Sequence, residues 1–130
     1  MNKVIVTGGA GYIGSHTCLK LIELGYEPLI IDNLSNTSIE NINGVESITN
    51  KKLNFYEIDC CSAKKLDMII KKENDIIGAI HFAAYKSVEE SVREPEKYFN
   101  NNLKSLESLI NAMLNNNLNN LIFSSSCTVY

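Results

Sequence analysis

The stretch Thr7-Gly8-Gly9-Ala10-Gly11-Tyr12-Ile13-Gly14 decides how the rest of this chain is read. In front of it, Lys3 to Thr7 is a β-branched run that predicts a strand. Behind it, the spacing predicts a helix over Tyr12 to Leu24, with Ile13, Thr17, Leu21 and Leu24 on one face and Gly25 ending it in a left-handed cap. A strand that passes through Gly8, Gly11 and Gly14 into a helix is a place where an anion can sit. Glycine lets the backbone turn tightly and come close to a ligand, and the free amides and positive dipole end of the helix face it. A glycine-rich turn without function is the bland alternative, and the strand-turn-helix setting weighs against it.

Outward from this turn, short β-branched runs alternate with longer segments of helical period, the pattern of a parallel sheet crossed by helices. The fold class is α/β, a doubly wound parallel sheet of the Rossmann type. Strands are expected near Lys3 to Thr7, Pro28 to Ile31, Leu53 to Ile58, Ile76 to Phe82 and Leu121 to Ser125. A second helix fits Ser62 to Glu73, with Ser62 able to cap it and Leu66, Ile69 and Ile70 at helical spacing. A third begins at Pro95, which a first helical turn tolerates, and carries an apolar stripe of Phe99, Leu103, Leu106, Ile110 and Met113. Its outward face reads as mostly polar. Asn33 to Asn50 is polar and reads as a loop with at most a short helical turn. The 130 residues fit one domain, and ending a few residues after the fifth strand suggests that the sheet is truncated there.

Chemistry gathers at the carboxyl ends of these strands. Asp32 ends the second strand, about twenty residues beyond the glycine turn, where a carboxylate can accept from an adenosine ribose and repel a 2'-phosphate. NAD is therefore favoured over NADP, since the following loop holds no basic residue before Lys51. At the end of strand four, His81-Phe82-Ala83-Ala84-Tyr85-Lys86 passes from apolar to polar. The two alanines would let a flat cofactor lie against the backbone, and Lys86 is either a donor to ribose or phosphate or a solvated loop lysine. His81 reads as a strand-end side chain with a local hydrogen bond, not a catalyst. Ser124-Ser125-Ser126 offers hydroxyls at the same edge, for substrate binding with a partner base or for ordinary turn chemistry.

Other classes are disfavoured. A formal charge of -3 with both signs interspersed implies no nucleic acid partner. No apolar run approaches membrane length and no leader pattern opens the chain, so a soluble, cytoplasmic protein is expected. Cys18, Cys60, Cys61 and Cys127 form neither a CxxC pair nor a disulfide framework, and with His16 they make no metal set of familiar spacing.

Taken in order and spacing, Thr7 to Gly14, Asp32-Asn33-Leu34, His81 to Ala84 with Lys86, and Ser124-Ser-Ser-Cys-Thr-Val-Tyr130 resemble the UDP-glucose 4-epimerases, among the extended short-chain dehydrogenases/reductases, over the whole chain. The Gly8-x-x-Gly11-x-x-Gly14 spacing marks the superfamily only. Lys86-Ser87-Val88 and Ser126-Cys127-Thr128 separate the chain from the nucleotide-sugar 4,6-dehydratases, which usually show a serine-histidine pair and an acidic residue there. The resemblance implies NAD as cofactor. It places Tyr12 and Ile13 over the pyrophosphate, Asp32, Asn33 and Asn36 at the adenosine ribose, and Asp59 and Cys60 beside the adenine. Phe82, Ala83, Ala84 and Lys86 would lie along the cofactor, Asn101 would face the crevice, and Ser126 falls on the catalytic serine.

In such enzymes a tyrosine and lysine spaced Tyr-x-x-x-Lys work with that serine. The tyrosine takes the sugar 4-hydroxyl proton while hydride passes to NAD and returns on the other face. The implied activity is interconversion of UDP-glucose and UDP-galactose, in galactose metabolism, with a UDP-sugar as substrate and a homodimer formed through helices that include the third. Cys127, Ala84 and Glu89 depart from the usual alanine, glycine and glycine. No Tyr-x-x-x-Lys pair occurs in these residues, so the expectation is an N-terminal portion that binds NAD without catalysis. Another extended short-chain enzyme, such as a dehydratase, and a non-catalytic dinucleotide-binding module are the alternatives.

Overall fold

The structure is a computed structural model that describes residues 1–125. Its five strands are β1 (Lys3–Thr7), β2 (Glu27–Asp32), β3 (Asn54–Glu57), β4 (Ile76–His81) and β5 (Leu121–Phe123), interleaved with helices α1 (Tyr12–Glu23), α2 (Glu40–Thr49), α3 (Ala63–Lys72), α4 (Val88–Arg93) and α5 (Pro95–Asn115). Every neighbouring pair in the sheet is parallel, in the order β3-β2-β1-β4-β5.

Alternation along the strands divides the core into two layers, because successive side chains leave opposite faces of a sheet. Ile5, Leu29 and Ile31 pack with Leu66, Ile69 and Ile70 of α3 and with Leu109, Ala112 and Met113 of α5. Val4, Val6 and Ile30 point the other way, against Cys18 and Leu21 of α1 and Ile42 of α2. The result is the doubly wound architecture that the alternation of runs predicts. At the outer edge, Ile122 and Phe123 of β5 stand exposed.

Several expectations need correction. Asn33 to Asn50 is not only a loop: α2 occupies its second half and buries Ile42 and Val45. Asn41, Asn43 and Gly44 are poor helix formers, and burial on α1 overrides their propensity. Helix α4 was likewise not expected, although Ser87-Val88-Glu89-Glu90 has capping-box spacing; the Ser87 Oγ accepts from the Glu90 N–H at 3.3 Å.

The buried face of α1 is Gly14, Cys18 and Leu21, whereas Ile13 is 51% exposed and Leu24 is also solvent-facing. Gly14 causes this rotation, since a Cβ there would stand 2.2 Å from the Gly8 carbonyl oxygen; the helix sits directly on the turn. In α5 the inward residues are Tyr98, Ser105, Ser108, Leu109, Ala112 and Met113. Of the expected stripe, Phe99 is 66% and Leu103 52% exposed, and Ile110 is exposed as well. Serines replace them inside because their hydroxyls find partners: Ser108 donates to the Cys61 carbonyl at 3.0 Å and Ser105 to the Asn102 carbonyl at 3.1 Å. The outward face of α5 therefore carries Phe99, Leu103, Ile110 and Leu114 among the exposed Lys97, Asn100, Lys104, Glu107 and Asn111. At α3, Ser62 is the N-cap residue but its side chain makes no cap bond.

Candidate functional site

The strand order reverses direction at β1, so the helices after β1 and β4 leave toward opposite faces and open a crevice at the carboxyl edge. A cleft of about 490 Å³ lies there.

Its floor is the glycine turn. Gly8 adopts φ +68°, which an L side chain rarely takes, and donates its N–H to the Ile31 carbonyl at 2.8 Å. A Cβ on Gly8 would stand 2.8 Å from the Ala83 nitrogen, so the turn packs backbone to backbone against the end of β4. Gly11 is the N-cap of α1 and offers no side-chain cap, and no acidic residue lies in the first turn. The leading amides of α1 thus have no side-chain partner at the cap, and Gly11, Tyr12, Ile13 and Gly14 line the cleft.

Asp32 stands at one end, only 8% exposed. Its Oδ2 accepts from the Ala10 N–H at 3.1 Å and its Oδ1 from the Leu34 N–H at 2.9 Å. One carboxylate therefore links the glycine turn to the loop after β2. The same turn is gripped from the other side, since Thr37 Oγ1 and Asn41 Nδ2 each donate to the Ala10 carbonyl at 2.7 Å. Asn33 and Asn36 lie on this loop and line the cleft; Asn33 Oδ1 is held by the Ser35 N–H at 3.1 Å.

Asp59 and Cys60 close the same end from the β3–α3 loop. Asp59 Oδ1 accepts from the Cys61 N–H at 2.8 Å. Burial, and then the charges of Asp32 and Asp59, push the Cys60 thiol up to about 12, so it stays protonated and serves as a small apolar wall.

The opposite wall comes from Phe82, Ala83, Ala84 and Lys86, after β4, with Asn101 of α5 facing them. Behind them His81 is 2% exposed, its Nδ1 lies 2.7 Å from Thr7 Oγ1, and its ring stacks on Phe123 at 6.1 Å. Burial, and then the charge of Lys86, hold its pKa down to about 4, so the ring is neutral near pH 7. Thr7 Oγ1 also accepts from the Ala83 N–H at 3.4 Å, so this pair ties β1 to the end of β4. His81 does not line the cleft; it holds the end of β4 in place, the local role the sequence suggests.

Every cofactor-facing residue expected from the sequence that falls in the described range lines this cleft. Ser126 lies outside the described residues. Ser35, Thr37, Tyr85, Ser87, Glu90, Tyr98 and Ser105 line it too and were not anticipated. For Ser87 and Glu90 the capping-box spacing was an available signal. For Tyr98 and Ser105 none existed, because it is their neighbours that carry the apolar stripe of α5.

Open helix amides, a Cβ-free approach and a carboxylate at the far end suit a dinucleotide: a pyrophosphate at the glycine turn and a ribose at Asp32. Comparison with known proteins agrees. Residues 4–130 match the NAD dependent epimerase/dehydratase family. The chain is 51% identical over 129 residues to a UDP-glucose 4-epimerase of Dictyostelium discoideum and 50% over 127 residues to that of Bacillus subtilis; each alignment covers nearly all of this chain and 37% of the relative. Among solved structures, a UDP-glucose 4-epimerase from Bifidobacterium longum in complex with NAD+ and UDP superposes with TM-score 0.95 at 40% identity, covering 99% of this chain and 38% of the other. One from Stenotrophomonas maltophila, with bound NAD and formylated UDP-arabinopyranose, gives TM-score 0.95 at 37% identity over 100% of this chain and 38% of the other. The chain thus spans little more than a third of the length of these relatives.

Proposed function

Because this chain belongs to the NAD dependent epimerase/dehydratase family, we propose that it is the cofactor-binding portion of an enzyme that interconverts UDP-glucose and UDP-galactose at C4, with NAD as resident cofactor. The observation that carries this reading is one cleft in which the glycine turn, Asp32 and the Lys86 loop meet at the carboxyl edge of the sheet.

In this reading the amides from Gly11 to Gly14 bind the pyrophosphate, with Tyr12 and Ile13 over it. Asp32, Asn33 and Asn36 hold the adenosine ribose, and Asp59 and Cys60 border the adenine. Phe82, Ala83 and Ala84 exclude water along the cofactor, Lys86 donates to the nicotinamide ribose, and Asn101 faces the crevice. Ser126 holds the substrate hydroxyl. Bound NAD supplies a hydride acceptor that is regenerated in each turnover. The 130 residues alone bind NAD without turning over sugar, since they contain no Tyr-x-x-x-Lys pair.

The proposed setting is the cytoplasm and the proposed assembly a homodimer. Phe99, Leu103, Leu106, Ile110 and Met113 recur at alternating spacings of four and three residues, the repeat of a helix-helix seam, and most of them face outward. Among the described residues no helix is long and apolar enough to cross a membrane.

The test is to incubate the purified intact protein with NAD and UDP-galactose and to read UDP-glucose by chromatography of the quenched reaction. UDP-glucose without net NADH release supports the assignment. A 4-keto-6-deoxy product would make it a dehydratase, and NAD binding without any sugar product would make it a binding module.

A further inference from the structure

Residues 84–87 carry Lys86 along the cleft, and their position is set by one side of α5. Asn102 makes two bonds to a single residue of this loop. Its Oδ1 accepts from the Tyr85 N–H at 2.8 Å, and its Nδ2 donates to the Tyr85 carbonyl at 3.1 Å. The pairing copies what a neighbouring strand would offer, and the backbone partners fix which end of the carboxamide is oxygen. Two residues on, the Ser87 N–H donates to the Tyr98 hydroxyl at 3.1 Å, which itself donates to Glu90 at 2.7 Å. Lys86 is therefore suspended between two tethered residues. Asn102 has one more partner: Asn101 Nδ2 donates to its Oδ1 at 3.1 Å. Lys86 and Asn101 both line the cleft, whereas Asn102 does not.

We propose that Asn102 is a positioning residue that presents Lys86 and Asn101 to the cofactor as one unit, by pinning both backbone groups of Tyr85 while orienting the Asn101 carboxamide. This rests on the NAD reading given above. Only a carboxamide of this length fits the role. An aspartate in its place would face the Tyr85 carbonyl with a second acceptor, and a leucine would leave both backbone groups of a half-buried residue without their partner.

The experiment is a double-mutant cycle in the intact protein. NAD affinity is measured by calorimetry for the wild type, Asn102→Asp, Asn102→Leu, Lys86→Met and the two double variants, with thermal melts to establish that each is folded. Modification of Lys86 by an amine-acylating reagent, with and without NAD, is followed by peptide mass spectrometry. If Asn102 acts through Lys86, each Asn102 substitution weakens NAD by about tenfold in the wild-type background and far less beside Lys86→Met. Protection of Lys86 by NAD should fall in parallel. Equal losses in both backgrounds, or unchanged protection, overturn the proposal and leave Asn102 with a structural role only. A wild type that does not bind NAD overturns the cofactor reading itself, an outcome distinct from the other two.

Discussion

Asp32 accepts a hydrogen bond from the Ala10 backbone N–H at 3.1 Å, so the carboxylate at the end of β2 is part of the glycine turn as well as a neighbour of it. Its other oxygen holds the Leu34 N–H at 2.9 Å, and Leu34 sits at φ +55°, a strained value that the bond helps to maintain. Asp32→Asn must present an NH2 to one of two backbone donors. A loss of about 1–3 kcal/mol is expected from the donor left without an acceptor, read as a lower urea midpoint. NAD affinity should fall by at least about tenfold and the preference over NADP should narrow, because the charge that repels a 2'-phosphate is gone. Calorimetry with NADP as competitor reads both; unchanged discrimination would exclude Asp32 as its source.

Two glycines make a paired test of the turn and of α2. At Gly14 a Cβ would lie 2.2 Å from the Gly8 oxygen and 2.7 Å from the Gly9 Cα, backbone atoms that cannot move aside cheaply. Gly14→Ala is expected to cost about 1–3 kcal/mol and to weaken NAD binding by shifting the first turn of α1. Around Gly44 nothing lies within 4 Å, and the residue is exposed inside α2. Gly44→Ala should therefore stabilise the protein by about 0.5–1 kcal/mol. Thermal melts of both variants give the answer, and a destabilised Gly44→Ala would count against helix at that position.

How much of this was legible in the sequence depended on whether one segment carried its own signal. Lys3 to Thr7, Gly8, Gly25 and Asp32 did, because β-branching, positive φ and a carboxylate at a strand end each follow from local chemistry. The sites that were missed take their reason from a distant partner. Nothing within α5 says that Ser108 should be buried in place of Leu103; the carbonyl of Cys61, on another element, satisfies its hydroxyl. Likewise α2 forms from asparagines and a glycine because Ile42 packs beside Cys18 and Leu21 and Asn41 bonds Ala10. Asn102 was legible only as one of three asparagines on a helix, and its role depends on where Tyr85 lies.

His81 predicts a pH dependence of stability. An imidazole in the unfolded chain charges below its ordinary value of 6.5, whereas the buried ring stays neutral down to about 4. The unfolded state therefore binds more protons between these values, and the contribution of His81 is fully present above pH 6.5 and lost as pH falls toward 4. The gap corresponds to at most about 3 kcal/mol. Glu73, Asp67 and Glu90 have carboxyls held below their ordinary values by Lys3, Lys71 and Lys97, so their own losses begin at lower pH. Urea midpoints from pH 7.5 to 5 should fall for the wild type and stay nearly flat for His81→Asn, whose carboxamide can still pair with Thr7. An equal slope in both proteins would assign the dependence to other groups.

The outward face of α5 yields the last prediction. Phe99, Leu103, Ile110 and Leu114 are all exposed along one long helix, and each apolar side chain removed from water contributes about 1.5–3 kcal/mol when fully covered. If two copies cover this face by packing α5 against its mate, a single charge near the middle of the seam should suffice to separate them, because a buried, unpaired ammonium costs more than one such side chain returns. Leu103→Lys is expected to convert a dimer into a monomer in sedimentation velocity. Its melting temperature should no longer depend on protein concentration, whereas that of the wild type should rise with it. The substitution leaves the inward residues Ser105, Leu109 and Ala112 untouched, so the monomer should remain folded and keep its NAD affinity. A wild type that sediments as a monomer at all concentrations would remove the dimer from the proposed function without touching the cofactor site.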